Sequence, residues 1–147
     1  MKEKIKVVAV SGGFDPLHVG HVELFREARK LGDRLVVILN NDNWIKKKKT
    51  HVFMPENERA ELIKALEMVD DVVLTDHGEN PEDMSVSSTL RAIKPHVFAN
   101  GGDRKDGNTP EDAVCEEFGI EMVFDLGDKI QSSSWLLSDY LKKHKSN

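Results

Sequence analysis

The chain is poor in cysteine, with only Cys115 among its 147 residues. A single thiol excludes an internal disulfide and fits a reducing cytoplasm. Long apolar runs are also missing. No stretch approaches the roughly 18 apolar residues of a membrane-spanning helix. Met1-Lys2-Glu3-Lys4 leads straight into an apolar segment, without the architecture of a secretory signal. A basic excess is lacking too. The formal net charge of −5 argues against general nucleic-acid binding, although local geometry can hold one nucleotide in an acidic protein. Repeats and linkers are absent, and Lys46–Lys49 is the only low-complexity segment. These exclusions leave a cytoplasmic protein with no membrane and no nucleic-acid partner.

The remainder suits one globular domain over residues 1–147, with 39% hydrophobic and 32% charged residues. Apolar β-branched runs alternate with helical patterns. Strands are predicted at Ile5–Ser11, Arg34–Asn40, Asp71–Thr75, His96–Asn100 and Glu121–Asp125. Helices are predicted at Val19–Leu31, Glu56–Val69, Ser87–Ile93, Pro110–Phe118 and Ser132–Lys143, with Pro55 at one start and Gly119 as an αL cap. Such alternation predicts an α/β fold, a Rossmann-like doubly wound five-stranded parallel sheet with right-handed crossovers. A phosphate loop after the first strand suggests order 3-2-1-4-5, with the switch point between strands one and four.

The densest chemistry lies at the first strand-to-helix junction, Ser11-Gly12-Gly13-Phe14-Asp15-Pro16-Leu17-His18-Val19-Gly20-His21. Glycines let a backbone approach a phosphate, a helix start offers N–H groups, and histidines donate to phosphoryl oxygens. A histidine pair can also be a surface pair or a metal pair. Zinc, however, would need further ligands than these two. Downstream, Asn40-Asn41-Asp42 ends the second strand on the same edge, and the lysine run follows as a loop, either solvated or phosphate-facing. Trp44 suits an acceptor wall or a dimer contact. Arg59 suits bidentate phosphate contact or a surface ion pair with Glu56 or Glu58. Gly101-Gly102-Asp103 follows the fourth strand, where Asp103 is placed to accept from ribose or base. Ser132-Ser133-Ser134 opens the last helix, as an N-cap or as a phosphate cradle.

The first block resembles the G-x-F-D-x-x-H-x-G-H signature of the cytidylyltransferase-like nucleotidyltransferase superfamily, through Gly12 or Gly13, Phe14, Asp15, His18, Gly20 and His21. Pro55 to Arg59 resembles its P-x-x-E-R, and the resemblance runs from about Val7 to Leu137. It implies transfer of a nucleoside monophosphate (CMP or AMP) from an NTP to a phosphate-bearing small acceptor such as a sugar or polyol phosphate, with pyrophosphate released. Carried over, His18, His21, Lys46 and Arg59 are catalytic. Gly12, Gly13, Phe14, Asp15, Gly20, Gly101, Gly102, Asp103 and Ser132–Ser134 bind the nucleotide. Asp42, Trp44 and Lys46 meet the acceptor. Magnesium arrives with the NTP, with no dedicated metal site, and a homodimer is implied. Leu126 to Ser132 lacks the Arg-Thr of the glycerol-phosphate cytidylyltransferases. In this respect the chain is similar to the adenylyltransferase domain of heptose-phosphate enzymes, and CTP and ATP both stay open. The alternatives are a non-catalytic nucleotide-binding regulatory module and an adenylyltransferase of cofactor biosynthesis.

Overall fold

A computed structural model describes residues 4–101, 109–126 and 139–143. Five strands form one parallel sheet: β1 (Val7–Gly12), β2 (Arg34–Leu39), β3 (Asp71–Leu74), β4 (Val97–Gly101) and β5 (Glu121–Leu126). Their order is β3-β2-β1-β4-β5, as the alternation predicts. The helices are α1 (Val19–Arg29), α2 (Asp42–Lys49), α3 (Glu56–Lys64), α4 (Ser87–Ile93) and α5 (Pro110–Phe118).

Strand periodicity divides the core into two layers. Val8, Val10, Leu35, Val37, Leu39, Val97 and Ala99 face one side, packed with Phe25 and Ala28 of α1 and Ile63 of α3. The residues between them, Ala9, Ile38 and Phe98, face the other side, with Leu90 of α4 and Val114 and Cys115 of α5. Both faces of the sheet are therefore covered, which is why the strands read as continuous apolar runs. Gly119 ends α5 at φ +68°, a conformation that costs glycine nothing.

Two expectations change. The lysine run, predicted as a loop, is helical: Asn41 caps α2 by accepting from the Trp44 N–H at 3.0 Å, and Ile45 anchors it in the interior. α3 stops at Lys64 rather than Val69, because the chain tightens into i→i−3 turns at Leu66 and Val69. Of the predicted last helix, residues 139–143 are described and helical.

The sheet opens where the switch point was expected. β1 pairs with β2 along all of Val7–Gly12, but with β4 only at Val8 and Ala9. Beyond Ala9 and Phe98 the two central strands no longer pair with each other. β4 is also irregular against β5 between Ala99 and Gly101. A crevice therefore forms at the carboxyl ends of β1 and β4.

Candidate active site

The crevice has a volume of about 300 Å³. Its floor is Ser11, Gly12, Gly13 and Phe14 from β1 and the following turn, with Ala99, Asn100 and Gly101 from β4. His21 and Leu24 of α1 form one wall; Trp44, Lys48 and Lys49 of α2 form the other.

The floor is shaped by packing from within the protein. A Cβ at Gly12 would lie 2.8 Å from the Phe14 ring, and one at Gly13 would lie 2.7 Å from Ile45 Cδ1 and 3.2 Å from the Trp44 ring. Both glycines are therefore required by their own neighbours, apart from any ligand. Phe14 turns back at φ +51°. Its buried ring meets His21 edge-on at 4.8 Å and Phe25 at 5.1 Å.

The two histidines cap each other's backbone. His18 is the N-cap of α1, and its Nδ1 accepts from the Gly20 N–H at 3.1 Å. His21 reaches back, its Nδ1 accepting from the His18 N–H at 3.2 Å. This is a capping box built from imidazoles. Because both Nδ1 atoms accept, the proton of each neutral ring sits on Nε2. The rings stack at 3.6 Å. Burial, reinforced by Lys49, lowers the His18 pKa. Burial, then His18 and Lys49, lowers that of His21 to about 3. At neutral pH the pair is uncharged, and each ring offers an Nε2–H donor. One expectation falls: the N–H of Gly20 goes to His18 Nδ1 and that of His21 to the His18 carbonyl. The Gly20 and His21 N–H groups of the helix start are thus taken by His18 rather than left open to phosphate.

Arg59 was expected at a phosphate. The structure buries it completely and commits its guanidinium to the protein. Nε donates to the Met54 carbonyl (2.8 Å), Nη1 to the carbonyls of Gly13 and Asn40 (both 2.7 Å), and Nη2 to Asp42 Oδ1 (2.6 Å). Arg59 thus ties the glycine turn, the end of β2 and the segment before α3 together from beneath, as a positioning residue. Asp42, expected at the acceptor, is its partner, and its N–H donates to Glu56 Oε1 at 2.8 Å. Asp15, expected at the nucleotide, spends both carboxylate oxygens on the N–H groups of Phe53 (2.8 Å) and Met54 (2.6 Å).

The lysine assignment shifts along α2. Lys46 lines a separate cavity with Asn43, Lys47, Glu79 and Asn80. The crevice instead receives Lys48 and Lys49, four residues on from Trp44 and Ile45 and so on the same helical face. Lys49 Nζ donates to the Asp15 carbonyl at 3.2 Å, and burial lowers its pKa. Trp44 stays at the crevice, its Nε1–H held by the Met84 carbonyl at 2.8 Å. Sequence reading missed Lys48, Lys49 and Asn100; the Asn41 cap was the signal for the helix that aims the lysines. Gly101 lies at the crevice, whereas Gly102, Asp103 and Ser132–Ser134 lie outside the described residues. Among the described residues, no cluster of three or more His, Cys, Asp or Glu side chains suits a metal ion, and no helix is long and apolar enough to cross a membrane.

The crevice therefore joins Lys48 and Lys49 with the neutral ring of His21, on which His18 stacks, while Asp15 and Asp42 are already paired. Such a set of cations and donors suits an anion, even within an acidic chain. The cytidylyltransferase-like family matches residues 9–125. The chain belongs to this family. It is 42% identical over 115 residues to the FAD synthase of Pyrococcus horikoshii, covering 78% of this chain and 69% of that protein. It is 35% identical over 133 residues to the bifunctional protein HldE of Pelobacter propionicus, covering 89% of this chain but only 24% of that protein. The structure of a lipopolysaccharide core biosynthesis protein from Thermoplasma volcanium superposes with a TM-score of 0.66 at 28% identity, over 87% of this chain and all of that one. As a member of this family, the chain is a nucleotidyltransferase.

Proposed function

We propose that the chain transfers AMP from ATP to the phosphate of a small sugar or polyol phosphate. The observation that carries this is the facing of His21, on which His18 stacks, and Lys48–Lys49 across the switch-point crevice. The choice of adenine is supported by the similarity to FAD synthase and HldE, both adenylyltransferases.

In this reading an acceptor phosphate oxygen attacks the α-phosphorus in line. A new P–O bond forms, the bond to the bridging oxygen breaks, and pyrophosphate leaves with both electrons. The attacking oxygen is already anionic, so positioning and charge neutralisation suffice. The Nε2–H groups donate to oxygens around the α-phosphorus, whose charge grows in the transition state. Lys48 and Lys49 neutralise the phosphates. Arg59 and Asp15 hold the loops that carry these groups. Ser132–Ser134 are proposed to hold the leaving pyrophosphate. Magnesium entering with the NTP would add charge neutralisation at the phosphates beside Lys48 and Lys49.

The test is pyrophosphate release with each of the four ribonucleoside triphosphates against sugar phosphates, polyol phosphates and flavin mononucleotide. Release with ATP and a sugar or polyol phosphate is expected. Release with CTP alone overturns the base. Preference for flavin mononucleotide moves the protein to cofactor biosynthesis, the reading favoured by the FAD synthase similarity. Nucleotide binding without release points to a regulatory module.

A further inference from the structure

α2 has little of its own to set its direction. It is short, and its second half is four lysines, whose like charges repel. Such a helix takes its stability and its direction from tertiary contacts. Yet it carries both lysines of the crevice. One side of its first turn is fixed by α3, through Arg59 on the Asp42 carboxylate and Glu56 on the Asp42 N–H. The other side is fixed by the irregular segment 75–86, between β3 and α4. Trp44 Nε1–H donates to the Met84 carbonyl (2.8 Å), and Asn41 Nδ2 to the carbonyls of Thr75 (3.1 Å) and His77 (2.9 Å). Asn43 Nδ2 donates to the same His77 carbonyl (2.9 Å). Such an anchor is only as firm as the segment that supplies it, and irregular connections of about 12 residues are uncommon in compact domains.

His77 makes the segment firm, because its ring bridges the two ends. The Ser85 carbonyl can only accept, so Nε2 carries the proton and donates to it (3.0 Å). Nδ1 is left to accept from the Thr75 hydroxyl (2.8 Å). Thr75 Oγ1 in turn accepts from the N–H of Asn41, the cap of α2 (3.1 Å). Beyond Ser85 the segment is pinned to α5, where Glu111 Oε2 accepts from the Val86 N–H (3.1 Å). Ring and carbonyl together let one residue reach Thr75, Ser85, Asn41 and Asn43. His77 itself does not line the crevice.

We propose that His77 is a positioning residue for the transfer: it holds segment 75–86 against α2 and so aims Lys48 and Lys49 at the phosphates of ATP. Charge placed beforehand stabilises a transition state without reorganisation, and a displacement of about 1 Å can cost a hundredfold in rate. The inference rests on the transferase reading above, and His77 acts through the lysines rather than on the substrate.

The test is a double-mutant cycle read by calorimetry with ATP. His77→Phe keeps a ring and removes both of its hydrogen bonds. It is expected to weaken ATP binding up to about tenfold in the otherwise wild-type chain, and by less than about twofold once Lys48 and Lys49 are both alanine. His77→Gln, whose amide can still donate to Ser85, restores the affinity. Without nucleotide, the indole N–H resonance of Trp44, identified by its loss in Trp44→Phe, moves in His77→Phe and returns toward its place in His77→Gln. Equal losses of affinity with and without the lysines overturn the proposal, since His77 would then support the fold at large. So does an unmoved Trp44 resonance, which would show that α2 keeps its place unaided. Should His77→Phe fail to fold, Thr75→Val, which removes the hydroxyl shared by His77 and Asn41, carries the same comparison. If wild type binds no ATP, the transferase reading fails separately, and the Trp44 resonance alone decides whether His77 holds α2.

Discussion

Replacing Arg59 separates a clamp from a phosphate ligand. The side chain is fully buried and satisfies three backbone carbonyls and one carboxylate at 2.6–2.8 Å. Arg59→Ala leaves all four acceptors without their donor. Asp42, at 27% exposure, can turn to solvent, but each orphaned carbonyl costs about 1–3 kcal/mol. Against a total stability of roughly 5–15 kcal/mol, that variant is expected to be unfolded or nearly so. Arg59→Lys is the more informative change. Lysine keeps the charge but lacks the planar fork. One ammonium cannot occupy the positions of Nε, Nη1 and Nη2, so at least one buried carbonyl is orphaned, at about 1–3 kcal/mol. Urea denaturation of Arg59→Lys should therefore show a loss of about 2–3 kcal/mol, and calorimetric ATP affinity should fall because the Gly13 turn loses its support. A different result would refute the clamp. If Arg59→Lys keeps wild-type stability within about 0.5 kcal/mol while ATP affinity collapses, the guanidinium belongs to the nucleotide and not to the fold.

Three further outcomes follow from the same geometry. Because the folded-state pKa of His21, about 3, lies below its usual value of 6.5, the unfolded chain takes up a proton that the folded chain refuses, so stability is full above about pH 6.5 and falls as the pH drops. Between pH 7 and pH 5 this site alone should remove about 2 kcal/mol, and His21→Asn should flatten that slope in urea titrations at the two pH values. Lys49→Ala should weaken ATP binding about tenfold, the weight of one charge-assisted contact, whereas Lys46→Ala, in its separate cavity, should leave it near wild type; equal losses in calorimetry would return Lys46 to the nucleotide site. Gly13→Ala drives a methyl against Ile45 and Trp44 and should cost about 1–3 kcal/mol as overpacking, visible in urea denaturation without any nucleotide present.

What could be read in the chain, and what could not, follows from how far each signal reaches. Strand order and core were legible because burial on both faces of a parallel sheet imposes apolar runs and the crossover rule leaves few topologies. α2 was hidden because four consecutive lysines carry no amphipathic pattern. Its stability comes from one cap at Asn41 and one buried residue, Ile45. The site residues were misassigned for a related reason. A guanidinium has five donors that suit phosphate oxygens and buried carbonyls equally well, so residue type alone cannot say which it meets. Position says more: Arg59 stands four residues before Ile63, on the buried face of α3, and that spacing directs the fork inward. The same helical arithmetic places Lys48 and Lys49, not Lys46, beside Trp44 and Ile45. Once each cation is assigned by the face it occupies, the division of labour becomes plain. The buried cation and the buried carboxylate of Asp15 hold the loops, the two lysines carry the charge of the crevice, and the histidines, kept neutral by burial and fixed in tautomer by their capping geometry, are left to donate.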